Sequence, residues 1–330
     1  LGVLVTGGAG YIGSHTVYEL IKTNQQVVVY DNLSKGHRGA VPAGIPLIMG
    51  DIREAARLAE TIEANHIDTV IHFAADSLVG ESMQDPAKYY ENNVVATLAL
   101  LNTLRKCGVN RIVFSSTAAV YGEPELWPIA ENFRTNPTNV YGRTKLVIEG
   151  ILADFSQAYG LKYVSLRYFN AAGALNSGTI GEDHAPETHL IPLVLKTALG
   201  QRQAIDIYGT DYPTPDGTCI RDYIHVTDLA QAHVLALEYL QAGGASRIYN
   251  LGSERGFSVR EVIDRAKFVT GIDFPVQEKE RRAGDPAILV ASSERIRQEL
   301  GWKPACSELD TIIRSAWQWH KNNPHGFGES

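Results

Sequence analysis

Leu1-Gly2-Val3-Leu4-Val5-Thr6-Gly7-Gly8-Ala9-Gly10-Tyr11-Ile12-Gly13 opens the chain, and its reading decides the fold. The first six residues form an apolar run with β-branched members, the pattern of a strand buried on both faces of a parallel sheet. A G-x-x-G-x-x-G spacing follows at once, and a helical pattern continues to about Lys22. Gly7 allows a tight turn, Gly10 lets the backbone approach a diphosphate, and Gly13 lets the helix pack closely on the strand. The amino terminus of that helix would offer free N–H groups and a positive dipole end to phosphate. A glycine motif alone is weak, but one set between a strand and a helix predicts a dinucleotide site.

The chain downstream extends the same pattern. A second strand, Gln26 to Tyr30, ends at Asp31, 18 residues after Gly13. A carboxylate there accepts both ribose hydroxyls of an adenosine and repels a 2′-phosphate, which favours NAD over NADP. Asn32, Leu33, Ser34, Lys35 and Gly36 would continue around the ribose. Pro46 to Gly50 reads as a third strand, with Asp51 and Ile52 placed to meet an adenine edge and face. A helix from about Arg53 to Asn65 leads to a fourth strand, Asp68 to Phe73. The small Ala74 and Ala75, with Asp76 and Ser77 after them, would let backbone lie against a cofactor. His72, within an apolar strand, reads as a core histidine. A fifth strand, Arg111 to Phe114, and a sixth, Lys162 to Arg167, complete an alternating β/α pattern. The fold class is therefore α/β, a doubly wound parallel sheet of the Rossmann type.

Chemistry enters at Tyr141-Gly142-Arg143-Thr144-Lys145, read against Ser115-Ser116-Thr117. On a helix, Tyr141 and Lys145 share a face. A lysine cation beside a phenol favours the phenolate, so the tyrosine should titrate below its usual ~10, toward neutrality. It would then serve as a general base for a hydroxyl proton. Thr117 follows the fifth strand, and ligands of open α/β sheets bind beyond the carboxyl ends of the strands. Tyr121, nearby, reads as structural.

Pro86 to Cys107 reads as one long helix with Asn92-Asn93 set into it. Its stripe of Val94, Leu98, Leu101 and Leu104 is most simply core, and a second apolar face could be a subunit contact. After Gly173 the alternation breaks down, and Gly, Pro, His and acidic residues cluster to His189. The reading is two units: residues 1–173, with 219–252 returning to them, form the dinucleotide domain. Residues 174–218 and 253–330 form a smaller α/β lobe. Within the lobe, Ile191 to Leu199 reads as a helix, Ile205 to Gly209 as a strand, and Cys219 to Val226 as another strand. Ser258-Val259-Arg260-Glu261 is a capping box. Arg281-Arg282-Ala283-Gly284-Asp285 is a basic turn that could hold a diphosphate.

Composition excludes other classes. The chain has 330 residues and a net charge of −7, which argues against nucleic acid as a partner. The three cysteines are widely spaced without a C-x-x-C, so neither a disulfide framework nor a metal site is expected. A reducing cytosol is the simplest compartment. The apolar run leads into the glycine motif with no charged leader, so no signal peptide is expected. No apolar stretch of about 18 residues predicts a membrane span.

The motifs T-G-G-A-G-Y-I-G at 6–13, D-N at 31–32, S-S-T-A-A-V-Y-G at 115–122, Y-G-R-T-K at 141–145, R-Y-F-N at 167–170, R-D-Y-I-H-V at 221–226 and R-R-A-G-D at 281–285 occur in order along the whole chain. They resemble the extended short-chain dehydrogenase/reductase family, in particular its branch acting at C4 of UDP-hexoses. The resemblance implies a Rossmann sheet holding NAD and a carboxy-terminal lobe holding a UDP-sugar. It implies interconversion of UDP-galactose and UDP-glucose, a step of galactose metabolism. Tyr141 would take the proton from the sugar 4-hydroxyl, Thr117 would hydrogen-bond the same oxygen, and Lys145 would hold the nicotinamide ribose. Hydride would pass from C4 to NAD, the 4-keto sugar would swing about its diphosphate, and the hydride would return to its other face.

Cofactor contacts implied by the same resemblance are Tyr11, Ile12, Asp31 to Gly36, Asp51, Ile52, Phe73 to Ser77, Asn92 and Phe169. UDP-sugar contacts implied are Asn170, His189, Leu190, Asp206, Ile207, Tyr208, Arg221, Arg282 and Asp285. Homodimers are usual in the family, through a four-helix contact that the helices at 86–107 and 141–159 would supply here. Two positions depart from the pattern. Ser77 stands where some relatives carry lysine, which bears on cofactor grip. Leu289 aligns with a position whose size decides whether an N-acetyl group fits. A 4,6-dehydratase would need carboxyl groups where Ala118 and Ala119 stand. A UDP-N-acetylglucosamine or UDP-glucuronate 4-epimerase, and a non-catalytic NAD-sensing regulator on the same fold, are the alternatives.

Overall fold

A computed structural model describes residues 2–282 and 285–328. In chain order its elements are β1 (Gly2–Thr6), α1 (Tyr11–Lys22), β2 (Gln26–Asp31), β3 (Leu47–Met49), α2 (Ala55–Ala64), β4 (Ile67–His72), α3 (Val79–Gln84), α4 (Pro86–Tyr89), α5 (Ala96–Lys106), β5 (Arg111–Ser115), α6 (Val140–Tyr159), β6 (Lys162–Arg167), β7 (Asn170–Ala172) and α7 (Leu190–Ala198). These are followed by β8 (Ile205–Tyr208), β9 (Ile220–Arg221), β10 (Tyr223–His225), α8 (Val226–Gln241), β11 (Arg247–Asn250), β12 (Phe257–Ser258), α9 (Val259–Thr270), β13 (Val276–Lys279), β14 (Ile288–Leu289), α10 (Glu294–Leu300) and α11 (Leu309–Asn322).

Seven strands pair in parallel in the order β11-β6-β5-β4-β1-β2-β3. The order reverses on either side of β1, so the crevice beyond β1 and β4 is the switch point where such sheets bind ligands. Alternation along β1 sends Val3 and Val5 to one face and Leu4 to the other. Val3 and Val5 pack with Val17 and Leu20 of α1 and Leu229 and Leu237 of α8. Leu4 packs with Leu58 of α2, Leu100 and Leu104 of α5, and Ile148 and Leu152 of α6. A separate core joins α7, α9 and α11 through Leu195, Val262, Ile263, Ile312 and Ile313. The capping box at Ser258 forms as read, with Ser258 and Glu261 bonded reciprocally.

Two elements differ from the sequence reading. The helix over 86–107 is not uniform: a wide π turn, Tyr90–Val95, separates α4 from α5. Within α5 itself Leu98 and Leu100 lie on opposite faces, so Leu100, Leu101 and Leu104 are buried while Leu98 is 38% exposed. The strand read over 219–226 divides at Asp222 into β9 and β10, which join different small sheets. Asp222 is buried and accepts from the Ser253 N–H and hydroxyl and the Ala291 N–H, so its side chain gathers two other segments. The residues Ala283 and Gly284 of the basic turn lie outside the described residues.

Candidate active site

The turn after β1 is shaped by contacts that a Cβ would break. Gly7 has φ +73°, and a Cβ there would stand 2.5 Å from the Ala74 nitrogen. A Cβ on Gly13 would stand 2.2 Å from the Gly7 carbonyl oxygen. On Gly10 the nearest atom would be 3.3 Å away, so the protein's own packing hardly demands glycine there. A diphosphate lying against the backbone does supply that demand. Gly10 is the extended residue just ahead of α1, so the first N–H groups of Tyr11, Ile12 and Gly13 face the turn.

Asp31 ends β2 and is 7% exposed. Its carboxylate accepts from the Ala9 N–H at 3.0 Å and the Leu33 N–H at 2.8 Å, which fixes its direction beside the glycine turn. Burial raises its pKa, with those two amides opposing. The following turn is local: Leu33 has φ +57°, the Ser34 N–H donates to the Asn32 side chain, and a Cβ on Gly36 would meet Ala9 at 2.8 Å. Lys35 is exposed at its tip. Asp51 is gripped by the Arg53 guanidinium at 2.7–2.8 Å, which holds its carboxyl below the usual range. Ile52 is buried in the core under α2.

Thr117 leaves β5 and caps a short turn, Ala118–Tyr121, its hydroxyl accepting from the Ala119 N–H. Helix α6 begins behind that turn, capped by the Asn139 side chain on the Gly142 N–H. A Cβ on Gly142 would stand 2.7 Å from the Ala119 carbonyl oxygen, so glycine next to Tyr141 allows the two segments to touch. This contact brings the Tyr141 phenol into a hydrogen bond with the Thr117 hydroxyl. Lys145, one turn on, donates to the Ser115 carbonyl at 2.9 Å, with its ammonium 5.9 Å from the Tyr141 ring centre.

The expected direction of the tyrosine shift is reversed in this structure. Burial pushes the Tyr141 phenol up to about 12, opposed by the Thr117 hydroxyl. Burial pulls the Lys145 ammonium down to about 7, opposed by Glu149. Helical spacing places the two side chains on one face, but desolvation of the phenolate outweighs a lysine that is bonded to a backbone carbonyl rather than to the phenol.

The loop beyond β4 completes the crevice. The Phe73 and Ala74 N–H groups both donate to the Thr6 carbonyl, and the Phe73 ring lies 4.7 Å from His233 of α8. Ala75 is partly buried and Ser77 is exposed. The π turn explains how the loop is held. It presents Asn92 to the Asp76 carboxylate at 2.7 Å and Asn93 to both backbone groups of Asp76. Asn93 also donates to Thr144 of α6. His72 is a core histidine, bonded to Thr6 and Thr97, and burial lowers its pKa to about 3.

The candidate sugar-nucleotide residues fall into two groups. Asn170 begins β7 and donates to the Asp222 carbonyl. Leu289 of β14 pairs in register with Arg221 of β9, and Leu289 and Phe169 pack on the same small cluster of Ala118, Val120, Tyr121 and Ile129. Arg221 donates to the Pro286 carbonyl and lies 3.8 Å from Asp285. This first group therefore sits behind the Thr117 turn. In the second group, Tyr208 donates to Asp206 at 3.4 Å and the Arg282 guanidinium stacks on the Tyr208 ring at 3.9 Å. Alternation along β8 turns Ile207 inward, 1% exposed, so its side chain is core and only its backbone could serve a ligand. The two arginines of the basic turn also diverge: Arg281 pairs with Asp211 at 2.6 Å, leaving Arg282 as the one directed to Tyr208. His189 and Leu190 stand at the start of α7, with the His189 Nδ1 turned toward Glu182 and Glu187.

The sequence model of the NAD dependent epimerase/dehydratase family matches residues 3–252. The chain belongs to that family. This epimerase/dehydratase family member is 56% identical to the UDP-glucose 4-epimerase of Halalkalibacterium halodurans over 99% of this chain and 98% of that one. A crystal structure of a UDP-glucose 4-epimerase superposes with a TM-score of 0.98 at 52% identity, covering 100% of both chains. The UDP-glucose 4-epimerase from Brucella ovis, crystallised with NAD, superposes at 0.94 and 52% identity, covering 96% of this chain and 97% of that one.

Sequence reasoning passed over some residues that shape the site of this family member. Asn93 is the better placed of the two amides, yet its signal was only a second asparagine in a helix. Glu149 lies four residues beyond Lys145, and its role appears only when Arg167 and Ser116 are seen around it.

Proposed function

We propose that the chain is a UDP-glucose 4-epimerase that interconverts UDP-galactose and UDP-glucose with NAD held throughout turnover. The observation that carries the reading is the meeting of Thr117, Tyr141 and Lys145 at the carboxyl end of β5, two strands along the sheet from the glycine turn that follows β1. The residues fit NAD: Gly10 leaves space against the backbone at a helix start, and a fixed carboxylate at Asp31 stands at the next strand end. NAD held there would supply hydride-accepting and hydride-donating chemistry at sugar C4.

The chain's own residues do the rest. Tyr141 takes the 4-hydroxyl proton and gives it back, and Thr117 hydrogen-bonds the same oxygen and fixes its position. Lys145 supplies a ribose contact below them. Arg221 and Arg282 bind the diphosphate, while Asn170, Leu190, Asp206, Tyr208 and Asp285 hold the nucleotide and sugar. With the nucleotide fixed, the 4-keto sugar can rotate about its linkage without leaving. Residues 1–173 with 219–252 serve the dinucleotide, and 174–218 with 253–330 serve the UDP-sugar.

Paired assays test this reading on protein purified without added cofactor. One receives UDP-galactose and the other UDP-N-acetylgalactosamine, with products separated by chromatography. The expected result is UDP-glucose in the first. Conversion in both would make Leu289 permissive for the N-acetyl group. Conversion in neither, even with NAD added, would favour a uronate substrate or a regulator.

The protein acts as a homodimer in this proposal. Val95 and Leu98 on the π turn and α5, and Val147 on α6, are 47%, 38% and 38% exposed, an apolar face on the two helices that the four-helix contact would use. A Leu98→Glu/Val147→Glu variant should elute as a monomer in light-scattering chromatography where the parent elutes as a dimer. A parent that elutes as a monomer would sink the idea. We also place the protein in a reducing cytosol. Cys107, Cys219 and Cys306 are free thiols, and among the described residues no helix is long and apolar enough to cross a membrane.

A further inference from the structure

The segment ahead of α7 reads Glu182-Asp183-His184-Ala185-Pro186-Glu187-Thr188-His189, an E-x-H-x-x-E-x-H spacing of which only His189 is among the sugar-nucleotide candidates. Four donor atoms, one from each of Glu182, His184, Glu187 and His189, lie within 4.8 Å of one another. Among ligand pairs, His189 Nδ1 is 2.8 Å from Glu182 and 2.9 Å from Glu187, and His184 Nδ1 is 3.2 Å from Glu182 and 3.6 Å from Glu187. A tetrahedral ion with bonds of about 2.0–2.2 Å sets its ligands about 3.4 Å apart. The cluster is already close to that size.

Its internal bonding points the same way. Glu187 Oε1 accepts the backbone N–H groups of Thr188 and His189, which fixes the carboxylate. The other oxygen, Oε2, is buried and has no hydrogen-bond partner, and neither does His184 Nδ1. The Glu187 side chain is only 3% exposed. These two atoms lie 3.6 Å apart, outside hydrogen-bond range, and Glu182 Oε1 lies 3.2 Å from the same imidazole nitrogen. Two carboxylates and two imidazoles there suit a zinc-class ion, which takes nitrogen and oxygen ligands in fours.

We propose that Glu182, His184, Glu187 and His189 form a closed, structural site for a divalent ion of the zinc class. With four protein ligands it keeps no open position for substrate, which separates it from the hydride chemistry. Its place is mechanical. Trp319 of α11 donates to the Glu182 carbonyl, His189 begins α7, and the His184 ring stands edge-on to Tyr11, the first residue of α1. One ion would therefore brace α7 and α11 against the start of the dinucleotide helix.

Metal content and melting temperature test this on the full-length protein, independently of its activity. Protein stripped with a strong chelator is titrated with zinc chloride and analysed by elemental mass spectrometry. The expected result is one zinc per chain, with a rise in melting temperature of about 5 °C over the stripped protein. Glu187→Gln and His184→Ala should each weaken zinc binding at least about 10²-fold, and X-ray absorption should show two imidazoles in a nitrogen/oxygen shell. A parent protein that takes up no zinc, or whose melting temperature ignores it, overturns the site and leaves an ion-paired cluster. Zinc retained equally by both variants places the ion elsewhere and also overturns it.

Discussion

Tyr141→Phe lowers UDP-galactose turnover by at least about 10²-fold while the protein still folds and binds UDP-sugar. The ring is part of the first turn of α6, where its backbone N–H donates to the Ser82 hydroxyl. Phenylalanine keeps that turn and that shape and removes only the hydroxyl that meets Thr117. The loss therefore reads out proton transfer rather than packing. The pH profile sharpens the test. Burial, opposed by the Thr117 hydroxyl, holds the phenol near 12, so the phenolate is scarce at neutral pH, and its fraction grows as pH rises from neutrality toward that value. Parent turnover should climb with pH over that range, and the residual rate of the variant should lose that climb. Equal turnover in the two proteins would remove Tyr141 from the chemistry. A protein that only senses NAD would show no turnover to lose.

The parts of this site readable in the sequence are those set by local rules. Strand β6 has the bounds that its composition predicts, and β1 runs into its glycine turn because period and turn chemistry agree there. Tyr141 and Lys145 share a helix face through spacing alone. What escaped the sequence depends on partners distant along the chain. The π turn exists where Asn92 and Asn93 reach Asp76, a bond across 16 and 17 residues. Asp222 divides a strand because Ser253 and Ala291 converge on it. The tyrosine shift was misjudged for a related reason. Charge pairing can be read from spacing, but desolvation depends on everything packed around the group.

Glu149→Gln should destabilise the protein by about 3–5 kcal/mol, the usual cost of leaving a buried charge without its partner. Glu149 on α6 and Arg167 on β6 have side chains 4% and 5% exposed and pair through two hydrogen bonds, one at 2.9 Å. The Ser116 hydroxyl donates to the same carboxylate, and the guanidinium also donates to the Tyr121 hydroxyl, which donates in turn to Asn250 of β11. The network thus ties the end of β5, where Thr117 begins, to the helix that carries Tyr141 and Lys145. Glutamine keeps the volume but leaves the Arg167 charge buried without a counter-ion. Adding Arg167→Met to the same chain removes that charge, and it should restore much of the lost stability because the desolvation cost disappears with it. At roughly 2 °C per kcal/mol for a chain of this size, the single variant should melt about 6–10 °C below the parent, and the double variant should melt above the single. A single variant within about 1 °C of the parent would show that the pair is not what holds β5 against α6. A double variant melting below the single would show that the arginine is held by Tyr121 and its ring, not by the carboxylate.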